Sequence, residues 1–196
     1  MNAHVHLRPA RPLGGLMRRL GRSSDGMAAV EFAMIVPIMF LLFVGSVEFS
    51  QAITVDRRVT QIASSTADLV AREKQVSTSD VDGIMQIIDQ LMAPYDVSRL
   101  KVTILNVYSQ MNNAADTRVC WSHNHNGGTS TYSPEQAYTL PPGILEAGNS
   151  VVIAEVIYDY QPLIFNYFIQ TAFALKEKFY LKPRLSKSVK YNTTQC

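Results

Sequence analysis

Hydrophobic and polar positions fall into three successive patterns along the chain. From Phe32 to Val47 no residue is charged, and Ile, Leu, Val, Phe and Met dominate. Taken as one helix from Met27 to Phe49, this run is roughly 34 Å long at about 1.5 Å per residue. That length crosses a hydrocarbon core of about 30 Å. A helix apolar on every face needs lipid or a large protein core around it, and the rest of the chain is too small to build such a core. After Phe49 the polarity rises without breaking the helical period. Val55, Val59, Ile62, Thr66 and Leu69 form one apolar stripe among Asp56, Arg57, Gln61 and Asp68. One helix is therefore expected from about Met27 to Lys74, with Pro37 removing a single hydrogen bond inside its apolar half.

Ser77-Thr-Ser-Asp80 supplies capping chemistry for a second amphipathic helix carrying Val81, Ile84, Met85, Ile88, Leu91 and Met92, which Pro94 ends. From Ser98 the period changes to two, with Leu100, Val102, Ile104, Asn106 and Tyr108 on one side of a strand. Gln110–Asp116 reads as a turn and Thr117–Ser122 as an antiparallel partner. Residues 123–149, rich in Asn, Gly, Ser, Thr and Pro, read as a surface excursion with one short helical turn at Pro134–Tyr138. Ser150–Tyr160 is the clearest strand. Leu163–Thr171 is short and aromatic, a candidate helix whose Phe165, Tyr167 and Phe168 pack beneath the sheet or touch a membrane surface. Ala174–Lys182 is the last strand. Two helices followed by about four strands give an α+β fold. The amphipathic stripe at Val55–Leu69 is the available cover for a small antiparallel sheet with one apolar face.

Charge adds an orientation. The net charge is only +2, with 17% charged residues, which gives no nucleic-acid footprint. Residues 1–26 hold Arg8, Arg11, Arg18, Arg19 and Arg22 against Asp25, leaving 13 of the 18 basic and 15 of the 16 acidic side chains downstream. A basic leader before an apolar run stays in the cytoplasm and sends the following domain across the membrane. The expected organisation is a leader at 1–26, a transmembrane helix at 27–49 and a head at 50–196. A secretory signal peptide is the competing reading, with small-residue sites at Val44-Gly45-Ser46 and Ser50-Gln51-Ala52, although its apolar core is usually only about 7–15 residues.

Candidate chemistry is sparse. Cys120 and Cys196 are an even pair, and in an oxidising compartment they permit one disulfide tying the C-terminus to the sheet; two free thiols are the alternative. Cys120, His123 and His125 match no common zinc spacing and offer no fourth ligand, so no metal is expected, and histidines in an Asn/Gly loop read as solvated. Asp80, Asp82 and Asp89 read as partners of a helix dipole or as a solvated face. No Walker loop, Gly-x-Ser-x-Gly or His-Glu-x-x-His occurs. No enzyme and no cofactor are expected.

Glu31 is the anomaly, because a carboxylate at membrane depth costs a few kcal/mol unless paired or neutral. Either it reaches to the headgroups, or the chain is cut after Gly26. A cut would leave Met27 with a free ammonium one turn from Glu31 and on the same face.

Gly26, four residues, Glu31, Phe32 and an apolar run, after a basic leader, resemble the prepilin-peptidase site of type IV pilin-like proteins. Ala28-Ala29-Val30-Glu31-Phe32-Ala33, Pro37 and Glu48-Phe49 are most similar to the TadE/TadG family, pseudopilins of the tight-adherence (Flp pilus) system. The likeness covers about residues 22–72, with shorter matches at Tyr158–Leu163 and Pro183-Arg184. The resemblance implies a pilin-like fold and cleavage between Gly26 and Met27. It also implies assembly through Glu31 and Phe32, and a minor role in the inner membrane and pilus, with TadE-like the closer label and TadG-like the alternative. The implied partners are the membrane, prepilin peptidase, other pilin-like subunits and the inner-membrane assembly platform. Set against it are an uncleaved bitopic anchor with a ligand- or partner-binding periplasmic domain, and a secreted protein cut after the apolar run.

Overall fold

The computed structural model describes residues 25–164, 166, 172–194 and 196. The leader at 1–24 and most of the aromatic segment 163–171 lie outside the described residues, and with them the short helix expected there. The chain divides into two units, Met1–Val47 and Glu48–Cys196.

Helix α1 runs Asp25–Ala71 with Pro37 inside it. Its apolar residues from Met27 to Phe43 are all exposed, Phe32 at 69% and Leu42 at 70%. From Val55 onward the helix becomes one-sided. Val55, Val59, Ile62, Thr66 and Val70 are fully buried, and Ala63, Ala67 and Ala71 lie beside them. The stripe ends on Val70, four positions after Thr66 on the same helix face, while Leu69 is only partly buried.

After the two-residue strand β1 (Gln75–Val76), helix α2 spans Thr78–Met92. Ser77 caps it in a complete capping box. Its Oγ accepts from Asp80 N, while Asp80 Oδ2 accepts from Ser77 N at 2.8 Å. Val81, Met85, Ile88 and Met92 are buried at the 4-3-4 spacing of one helical face. The other end is closed from α1, where Arg58 Nη1 donates to the carbonyls of Leu91, at 2.9 Å, and Ala93. A cation there also complements the negative end of the helix dipole.

The sheet comprises β2 (Leu100–Gln110), β3 (Asn113–His125), β4 (Ser150–Tyr160) and β5 (Phe173–Leu181), antiparallel throughout in the order β3-β2-β4-β5. A short β6 (Lys190–Tyr191) returns to pair with β1 in parallel, which the period-two pattern did not foretell. The architecture is α+β, a long N-terminal helix packed through its second half on an antiparallel sheet.

One face of the sheet meets the two helices. Leu100, Val102, Ile104, Val152, Val156 and Tyr158 share a core with Val55, Val59, Ile62, Val81, Met85 and Ile88. The expectation of a single apolar face does not hold. Leu105, Val107, Val151 and Ile153, which alternate with those residues, build a second core with Val119, Tyr138 and Leu145. The excursion after β3 is the cover for that face. A strand buried on both sides reads as a continuous apolar run rather than an alternation.

Two local expectations also give way. The turn predicted at Gln110–Asp116 shrinks to Met111 and Asn112, since Gln110 already pairs with Asn113 and β3 continues to His125 opposite Val102. The helical turn predicted at Pro134–Tyr138 is instead a reversal with Glu135 at φ 65°. The chain then runs along β3, with Glu135 N donating to Val119 O and Tyr138 N to Thr117 O at 2.8 and 3.0 Å. Pairing with an exposed strand edge satisfies those amides better than one isolated helical turn could.

Candidate functional site

Gly26, Met27, Glu31 and Phe32 lie in the first turns of α1, and the side chains of Met27, Glu31 and Phe32 are exposed. Met27 and Glu31 are four apart and share a helix face. A Cβ placed on Gly26 would meet nothing within 4 Å, so no packing within the described residues demands glycine there. The segment from Gly26 is the one helix among the described residues long and apolar enough to cross a membrane, with mean hydropathy 2.4 in its most apolar window.

At the other end of the apolar run stands a second carboxylate, Glu48, whose environment is the opposite. It is 7% exposed, and its two oxygens accept the backbone N–H groups of Leu163, at 3.0 Å, and Ile164. Two amide donors on one carboxylate are charge-assisted hydrogen bonds of the stronger kind. The sequence marks Glu48 as the charge that ends the run and as part of the Glu48-Phe49 resemblance. Its partners lie 115 and 116 positions away, and no local pattern reveals them.

The outer face of the sheet holds a second buried carboxylate, absent from the candidates drawn from the sequence. Glu155 sits at the centre of β4, 3% exposed, directly opposite Thr103 on β2 and Lys178 on β5. Lys178 Nζ approaches it at 2.6 Å, and Thr129 Oγ1, Tyr132 OH and Tyr138 OH donate to it at 2.8, 2.9 and 2.8 Å. Burial pushes its carboxyl upward, but the bonds from Lys178, Thr129, Tyr138 and Tyr132 together hold it below the ordinary carboxylate range. The same burial, with the Glu155 charge beside it, drives the Tyr138 hydroxyl far above a normal phenol. This cluster fastens the excursion onto the second core. The signal was legible: a lone Glu inside Val-Val-Ile-Ala-Glu-Val-Ile must be buried with its strand and needs partners.

Cys120 and Cys196 are joined in a disulfide, with Cα atoms 5.7 Å apart across 76 positions of sequence. A bulge accounts for the direction of Cys120. Asn106 pairs with Trp121 and Val107 with Val119, so Cys120 is the extra residue. Both Cys120 and Trp121 thereby join the helix-side core. Trp121 Nε1 donates to Val189 O at 2.8 Å and its ring stacks on Tyr191. The C-terminal tail is thus fixed by a covalent bond, a hydrogen bond and a stack.

The two histidines are not loop residues. They project from β3 toward α2, His123 Nε2 lying 3.1 Å from Asp82 and His125 Nε2 2.9 Å from Asp89. Asp82 and Asp89 are therefore cross-element partners, not merely a solvated face, and Asp80 belongs to the capping box. Among the described residues no group of three or more His, Cys, Asp or Glu side chains is placed to hold a metal.

Among the described residues, one exposed apolar helix long enough to cross a membrane continues into an α+β head, the build of a membrane-anchored protein. Within that class, residues 26–68 match the family described as TadE-like protein. The matched segment begins at Gly26 and includes Glu31, Phe32, Pro37 and Glu48. No curated protein and no solved structure matches the chain. The N-terminal segment is therefore TadE-like.

Proposed function

We propose that this protein is a minor, non-enzymatic pseudopilin of a tight-adherence (Flp, type IVb) pilus, cut by prepilin peptidase between Gly26 and Met27. The observation that carries the reading is the coincidence, within the TadE-like segment, of Gly26, Glu31 and Phe32 with the start of a helix whose apolar residues are exposed through Phe43. The arginines of residues 1–22 hold the leader in the cytoplasm, and the head at 50–196 faces the periplasm. After the cut, the Met27 ammonium neutralises Glu31, its own or that of a neighbouring subunit, and removes the cost of a lone carboxylate in lipid. That pairing sets the axial register against other pilin-like subunits, and the inner-membrane assembly platform receives the mature protein. The Cys120–Cys196 disulfide fits an oxidising periplasm.

Two substitutions separate the roles. Gly26→Ala blocks or slows removal of the leader, so the longer precursor accumulates in membranes. Glu31→Ala is processed normally but fails in pilus assembly. A wild type that keeps its leader, with neither substitution changing anything, overturns the reading and leaves an uncleaved bitopic anchor.

A further inference from the structure

We infer that the head carries a second membrane contact: the rim formed by Phe49, Leu163, Ile164 and Phe173 docks on the lipid surface from which α1 emerges, and Glu48 positions it there. This rests on the membrane-spanning part of the function proposed above, though not on cleavage or on a pilus.

Among the described residues, Phe49 is 69% exposed, Leu163 64%, Phe173 45% and Ile164 38%, all large apolar side chains. Contiguous exposed apolar surface on a folded domain marks an interaction site. Two facts identify its occupant. Glu48 follows directly on Val47, the last residue of the uncharged run, and therefore lies where the helix leaves the hydrocarbon. The Glu48 carboxylate in turn binds the backbone of Leu163 and Ile164, which brings the rim to that same level. Between Asp159 and Lys176 the sequence has no charged side chain, so nothing in that stretch opposes entry into the headgroup region. Aromatic residues are enriched at that boundary, and Phe173 packs against Tyr160 with ring centroids 5.1 Å apart.

Glu48 suits such a place because two backbone N–H donors replace its hydration. Beside it lies a hollow of ≈ 240 Å³, lined by Glu48, Phe49, Ala52, Tyr160, Pro162 and Phe173. The end of a lipid acyl chain is the chemistry that suits an opening with those walls.

The test uses the full chain at one copy per lipid nanodisc, and reads tryptophan quenching by lipids brominated near the glycerol end or near the chain terminus. Trp121 is the one native tryptophan and is 3% exposed, so it gives the unquenched reference. Leu163→Trp adds emission that the shallow-brominated lipid quenches, and Glu48→Ala in that background reduces the quenching. Phe40→Trp, within the span, is quenched by the deep-brominated lipid and checks the membrane reading separately. Quenching at Phe40→Trp with none at Leu163→Trp overturns the docking. Quenching at Leu163→Trp that Glu48→Ala leaves unchanged overturns the positioning role of Glu48. Absence of quenching at Phe40→Trp overturns the membrane reading itself.

Discussion

Residues 26–47 and 48–71 belong to one helix, yet they solve opposite problems. The first stretch is apolar on all faces and exposed through Phe43. The second confines its apolar residues to one stripe, and Val55, Val59, Ile62 and Val70 disappear into the sheet. Helix formation is common to both, so the secondary structure does not distinguish them. What differs is the medium each surface requires, lipid on every side or a sheet on one. The two carboxylates of this helix repeat the contrast. Glu31 is exposed, and its reading depends on an ammonium that processing would create. Glu48 is buried, with its amide partners already in place.

The contrast can be broken where each half draws its stability. The head should depend most on its covalent clasp. Cys120→Ala opens a loop spanning 76 positions, and the chain-entropy relation puts the loss at about 4 kcal/mol. Urea unfolding of the wild type with and without reductant should show the same difference, and the Cys120→Ala protein should be insensitive to reductant. A smaller effect should separate the two halves of α1 directly. Ile62→Ala in the buried stripe should cost about 3 kcal/mol of head stability. Phe40→Ala, where 63% of the side chain is exposed, should leave the unfolding of the head unchanged. Equal losses at both positions would mean that the apolar half is also part of the protein core.

The smallest effect concerns the outer face of the sheet. Glu155→Gln removes the charge that four donors share, and should cost about 2 kcal/mol at neutral pH. Folding lowers the Glu155 carboxyl below its ordinary value. Its contribution is therefore complete above the unfolded pKa of about 4.3 and vanishes as pH falls through the folded value. Denaturation followed against pH should show this acid limb in the wild type and a flatter one in Glu155→Gln.

Much of this fold can be read from spacing. The apolar run, the stripe from Val55, the cap at Ser77 and the strand Ser150–Tyr160 each follow from a period or a cap residue, and all are local. The second core escapes such reading because Leu105 and Val107 fall on the side of β2 opposite Leu100, Val102 and Ile104, where a strand covered on one face would meet solvent. Their cover, with Tyr138 and Leu145, comes from an excursion whose Gly and Pro content suggests only solvent. The β1–β6 pair is likewise invisible, since two-residue strands more than a hundred positions apart leave no periodic trace. The sites divide in the same way. Gly26, Glu31 and Phe32 stand out through a linear motif, whereas Glu48, Glu155 and the His123–Asp82 and His125–Asp89 pairs acquire partners only on folding.

The central claim is that the apolar half of α1 becomes the N-terminus of the mature protein. N-terminal sequencing with intact mass, on protein recovered from membranes, tests it most directly. The account predicts a chain that begins at Met27 and lacks residues 1–26, with Cys120 and Cys196 oxidised. A chain that retains Met1, or one that begins near Val47 or Ile53, would contradict it.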